Sequence, residues 1–189
     1  MNFFKQAVLF EGGLGVIAVA AGVFFGFPFW QRCSFIGEAF LQIAAATAAT
    51  IAVYFVLGWL PFECLRKIDR IVREIVQREM SGFRLPHFVV IAAFAGFGEE
   101  FFFRGLLQDG FTEYLGVAKQ IPVLIAVSLL FALAHNITRT YFVLAFLISL
   151  YFGFLLLYTE NLFVPAAVHG LYDLFVLLYI NRQRKPPAL

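Results

Sequence analysis

Residues 88–108 read FVVIAAFAGFGEEFFFRGLLQ. The run is long enough to cross a bilayer, because a spanning helix needs about 20 mostly apolar residues. Inside it stand two adjacent carboxylates, Glu99 and Glu100, and an arginine, Arg104. A charge near the bilayer centre costs about 2.5–3.5 kcal/mol, so such residues face the interior of a helix bundle and mark function. The stretch therefore predicts a membrane helix with one purposeful polar face.

Working outward, five more stretches share this apolar character: roughly 8–28, 36–60, 121–137, 141–158 and 162–180. Composition agrees. The 189 residues are 62% hydrophobic and include 26 Phe, whereas a soluble domain holds about 45–50% apolar residues. The first stretch follows Lys5, as a signal peptide would. It is long, carries Glu11 and has no small-residue cleavage site before Pro28, so it reads as a retained span. No repeat or low-complexity segment divides the chain. The expected fold is all-α: a polytopic membrane bundle of about six transmembrane helices, forming one domain over 1–189.

The segment 61–87 differs in kind. Leu65, Ile68, Ile71, Val72, Ile75, Val76 and Met80 recur at three and four, while Arg66, Lys67, Arg70, Arg73 and Arg78 fill the other face. That is an amphipathic helix. It either lies on the membrane surface or packs on the protein itself. Six spans put Lys5, Arg66, Lys67, Arg70, Arg73, Arg78, Arg84, Arg139, Arg182, Arg184 and Lys185 on one side. Only Arg32 and Lys119 fall on the other. The positive-inside rule then places both termini and the amphipathic helix in the cytoplasm, with the chain a multi-pass protein of the plasma (inner) membrane. A net charge of +2 gives no field for nucleic acid. Cys33 and Cys64 form neither a disulfide framework nor a ligand pair.

Setting the loops aside leaves Glu99, Glu100, Arg104, His135, His169 and Asp173 within apolar surroundings. Glu100 and Arg104 are four apart, share a helix face and can neutralise each other. Glu99 lies about 100° further round and has no partner in its own helix. A free buried carboxylate can serve as a general base. Phe131 and His135 are also four apart, as are His169 and Asp173, so each pair can point to one place. At 1.5 Å per residue, Glu99 and Asp173 both lie about 16 Å deep. His135 computes closer to the cytoplasm, and His169 closer to the outside.

These positions carry a pattern: E-E-x-x-x-R at Glu99–Arg104, F-x-x-x-H at Phe131–His135 and H-x-x-x-D at His169–Asp173. In this order, and with the wording EEFFFRGLLQ, it resembles the CPBP family. These are the CAAX prenyl protease and bacteriocin-processing, or Abi-type, intramembrane glutamic endopeptidases. The resemblance spans roughly 88–180, which it implies are the catalytic core helices. It implies that Glu99, with His135, activates a water that attacks a peptide carbonyl. His169 and the residue at Asp173 would stabilise the oxyanion, Glu100 and Arg104 would support the site, and Phe131 would shape the pocket. No metal or other cofactor is implied. The substrate would be a peptide or protein, itself membrane-associated. The third motif commonly ends in Asn, and an ionised Asp173 would repel an oxyanion, so it must be protonated or orient His169.

Other chemistry finds less support. Ser34, Ser81, Ser128 and Ser149 lie in no G-x-S-x-G context, and H-E-x-x-H is absent. Two alternatives stay open. One is a zinc peptidase with Glu99, His135 and His169 as ligands. The other is a non-catalytic scaffold or immunity protein whose polar residues only glue helices.

Overall fold

The computed structural model describes residues 2–35 and 37–183, so Arg184 and Lys185 of the charge count lie outside the described residues. Among these the chain is helical, with no strand. Seven helices follow in order: α1 (Phe3–Phe24), α2 (Gly37–Trp59), α3 (Glu63–Glu79), α4 (Leu85–Leu115), α5 (Gln120–Ala134), α6 (Arg139–Thr159) and α7 (Phe163–Arg182). All except α3 belong to segments long and apolar enough to cross a membrane, six in total. The expected multi-pass bundle is what the chain forms.

Local signals account for the ends. Asn2 caps α1 by accepting the Lys5 N–H at 3.1 Å, and the chain leaves that helix through Gly26 at φ +70°, four residues before the expected stop. Gly26 takes this left-handed turn without a Cβ clash. Thr138 caps α6 in the same way, accepting from the Tyr141 N–H at 3.1 Å. Outside the spans, Asn161 ties two turns together. Its amide donates to the Ser34 carbonyl at 2.9 Å and accepts the Ser34 N–H at 3.0 Å.

The largest departure from expectation lies in α4. It was expected over 88–108 and instead runs Leu85–Leu115, because Pro86 fits its first turn and residues Phe101–Asp109 wind as a π-helix. Wider π winding carries the helix on past Arg104 rather than ending it, and such turns gather at functional sites.

Burial identifies the centre of the bundle. Only 11% of the most apolar window of α1 and 17% of that of α2 is buried, against 44% for α4. The first two helices thus turn mostly outward and α4 runs through the middle. It packs closely on α7 and α1, while α2 packs on α7 and α5 on α6. The closeness comes from small residues. A Cβ at Gly96 would meet the backbone of Ala166 and Gly170, and one at Gly98 would strike the Glu11 carbonyl of α1. Small residues let helix backbones touch in lipid, where there is no hydrophobic drive between helices.

α3 packs one face on the protein, as the second of its two readings expects. Val76 and Met80 are buried with Phe88, Ile91 and Ile180 in one cluster, with Val72 against it. Arg66, Lys67, Arg70 and Arg78 face outward.

Gly96→Ala is expected to lower stability in detergent by about 1–3 kcal/mol through overpacking of the α4–α7 crossing. Gly13→Ala, whose Cβ would meet nothing within 4 Å, is expected to leave the melting curve unchanged. Thermal unfolding followed by tryptophan fluorescence compares the two.

Candidate active site

Glu99 and Glu100 sit where α4 changes from α to π winding. Glu100 is fully buried, and its carboxylate is shared by two partners. Oε2 accepts from Arg104 Nε at 3.0 Å, and Oε1 lies 3.0 Å from His169 Nδ1 on α7. The i,i+4 pair read from the spacing is therefore present, and it reaches one step further than the spacing implied. Arg104, also fully buried, donates through Nη2 to Ser149 Oγ on α6 at 2.7 Å and holds its guanidinium 5.7 Å from the centre of the Phe131 ring on α5. Four helices converge on one ion pair.

An ionised carboxylate can only accept, so His169 carries hydrogen on Nδ1 and turns Nε2 the other way. Nε2 lies 3.5 Å from Asp173 Oδ2. Phe152 stacks on the imidazole at 4.9 Å and 23°, so the ring plane is held as well as its edge.

Glu99 faces a different neighbour. Its Oε1 lies 3.6 Å from His135 Nε2. His135 Nδ1 is 2.9 Å from the Phe131 carbonyl, which can only accept, so hydrogen again sits on Nδ1. In the neutral ring Nε2 is then a bare lone pair turned toward Glu99. Phe131 stacks on His135 at 4.2 Å and 18° and meets His169 edge-on at 6.5 Å, so one phenyl ring sets the spacing of both imidazoles. The second oxygen of Glu99 is buried with no hydrogen-bond donor against it.

All seven residues singled out in the sequence come together here, which corrects the depth arithmetic for both histidines. α4 begins at Leu85, three residues early, so Glu99 lies about 21 Å along it, and His169 lies about 9 Å along α7 from the opposite end. Together these span the roughly 30 Å hydrocarbon core. His135 meets Glu99 because side chains lean toward their own helix N-terminus. On oppositely running helices the two lean toward one another.

Two residues at the site were missed. Ser149 carries no motif, and only the fold shows it buried against Arg104. Glu11 of α1, an acid inside an apolar span, had a visible signal that was not weighed. Its backbone carbonyl lies against Gly98, next to Glu99, and its carboxyl is close enough for the two acids to act on one another.

The chemistry available is that of a carboxylate 3.6 Å from an acceptor imidazole nitrogen, beside a second imidazole flanked by carboxylates. Among the described residues, no group of three His, Cys, Asp or Glu side chains is arranged to hold a metal ion. Glu100 already occupies one nitrogen of His169.

A family model described as Rce1-like, type II CAAX prenyl endopeptidase, matches residues 81–175. The comparison with curated proteins returned no match, and neither did the comparison with solved structures.

Arg104→Met leaves Glu100 buried with its chief counter-charge gone, and is expected to cost about 3–5 kcal/mol of stability. The double variant Glu100→Gln/Arg104→Met removes both charges and is expected to recover most of that loss. Detergent unfolding of the two proteins reads the difference.

Proposed function

The chain belongs to the family of Rce1-like type II CAAX prenyl endopeptidases, and from that premise we propose how its buried residues hydrolyse a peptide bond. An intramembrane endopeptidase must bring water to a carbonyl in a dry environment. The proposed base is Glu99, with His135 as its partner in holding the water. The observation that carries this reading is the 3.6 Å approach of Glu99 Oε1 to His135 Nε2, with Nδ1 anchored on the Phe131 carbonyl. Both facing atoms are acceptors, so a water set against them gives each a hydrogen and points its own lone pair outward.

In the proposed reaction that lone pair adds to the peptide carbonyl carbon while one water proton passes to Glu99. The carbonyl oxygen becomes an oxyanion. His169, with Glu100 against Nδ1 and Asp173 beside Nε2, stands ready to donate to it from Nε2 when protonated. Asp173 then acts by orienting His169 rather than by touching the oxyanion. Collapse of the tetrahedral intermediate breaks the C–N bond, and the proton on Glu99 goes to the leaving amine. Burial strengthens each of these electrostatic contacts. Glu100, Arg104 and Phe131 support the site by fixing both imidazoles.

The substrate is a peptide or protein that itself resides at the membrane, and the bilayer is the enzyme's solvent. The whole chain forms one integral membrane unit, with helices over 88–180 as its catalytic core. Both termini lie in the cytoplasm and the protein resides in the plasma membrane, a reading supported by the basic residues gathered on one side. A non-catalytic scaffold has less to recommend it, since glue would not need two acceptors facing one another.

Glu99→Gln is expected to lower kcat by about 10²–10⁴-fold with the melting curve unchanged, measured on an internally quenched prenylated CAAX peptide. Membrane proteomics of wild type against this variant is expected to show peptides whose C-termini change; identical peptides and full activity would sink the proposal. Asp173→Asn, which preserves a partner for His169 Nε2, is expected to stay active. Metal chelators are expected to leave the rate unaltered.

A further inference from the structure

Glu11 is an acid on α1, the helix most turned toward lipid, and the reaction above leaves it without a task. Its position is not casual. α1 and α4 touch at this level, where Gly98 admits the Glu11 carbonyl and the Gly98 Cα lies 3.4 Å from where a Cβ on Gly15 would stand. A side chain at Gly98 would push the helices apart and carry Glu11 away from Glu99. The crossing therefore sets Glu11 of α1 against the turn of α4 that carries Glu99.

Two observations bear on their state. Glu11 Oε2 and Glu99 Oε2 are both buried, and neither has a donor from any other residue. Among the described residues no lysine or arginine makes a salt bridge to Glu11. The other titratable groups that act on it are His169 and Asp173 of α7, while Arg104, bonded to Glu100 and Ser149, acts on Glu99. Two adjacent buried carboxylates repel one another, which disfavours ionising both. One hydrogen between them gives each stranded oxygen a partner and removes the repulsion.

We propose that Glu11 is a positioning residue, which holds a hydrogen and donates it to the Glu99 carboxylate. That bond would lock the free rotation of the Glu99 carboxylate and keep Oε1 turned to His135, where the water is held. The hydrogen stays between the two carboxyls throughout. The proton taken from water goes to Glu99 Oε1 and leaves with the amine, so Glu11 neither gains nor loses one over a turnover. The inference rests on the reading of Glu99 as the base.

Three variants assayed on the quenched prenylated peptide test it. Glu11→Gln keeps the shape and an N–H donor, and is expected to retain at least about a third of wild-type kcat. Glu11→Ala loses the donor and is expected to lower kcat about tenfold or more at nearly constant KM, since a hydrogen bond to a charged group is lost. Wild-type kcat in Glu11→Ala, or equal impairment of both, would overturn the proposal. Glu99→Gln separates the two levels: if it is inactive while Glu11→Ala is normal, only the role of Glu11 fails, whereas an active Glu99→Gln removes the base itself. A readout independent of turnover comes from infrared spectroscopy of the purified proteins. The wild-type minus Glu11→Gln difference spectrum is expected to contain the C=O band of a protonated carboxyl, and its absence would overturn the proposal even if Glu11→Ala did not fold.

Discussion

Arg104 carries its charge inside the bundle with none of its surface exposed, and the Glu100 carboxylate 3.0 Å away makes that tolerable. Uncompensated, either group would be among the costliest things to place in lipid. Paired, they leave two demands unmet, because Arg104 has donors to spare and Glu100 has a second oxygen. Ser149 of α6 takes one donor and His169 of α7 takes the oxygen. The need to satisfy a buried charge pair thus dictates which helices must touch α4, and at what level. The π stretch that follows Glu100 belongs to the same constraint, for it carries the buried face from Glu100 through Arg104 to Gln108, which donates to the Gly153 carbonyl at 3.0 Å.

Around that ion pair the apolar residues do more than fill space. Phe131 lies against His135, near His169 and beneath the Arg104 guanidinium, so one ring transmits the position of the charge pair to both imidazoles. Phe152 holds His169 from the other side. A histidine fixed in plane by stacking and at one nitrogen by a hydrogen bond has its remaining nitrogen aimed, and aim is what preorganisation requires. The glycines act at longer range. Gly96 and Gly98 draw α7 and α1 against α4, which brings His169 and Glu11 within reach of the acidic pair.

Adjacent acids in one helix have ended in different circumstances. Glu100 is committed on both oxygens to Arg104 and His169. Glu99, a quarter-turn away, has one oxygen near an acceptor nitrogen and the other without a hydrogen-bond partner, with Glu11 of α1 close by. The first arrangement is satisfied and rigid. The second is poised, since neither neighbour saturates it, and the proposed chemistry uses that difference.

Much of this was legible in the amino-acid sequence. Apolar length marks the six spans, because lipid accepts no other kind of segment, and a helical repeat of 3.6 residues puts Glu100 beside Arg104, Phe131 beside His135 and His169 beside Asp173. Those are local relations, and local geometry determines them. What only the tertiary structure decided are the relations between helices. These are the π winding after Glu100, the recruitment of Ser149, the docking of α3 on the bundle, the shared ring of Phe131 and the meeting of Glu11 with Glu99. Periodicity says which face of a helix is polar, yet nothing in it says which neighbour that face will find or at what depth. Those depend on where small residues let backbones close and on which buried charges still lack a partner, and both are settled only when all the helices are packed together.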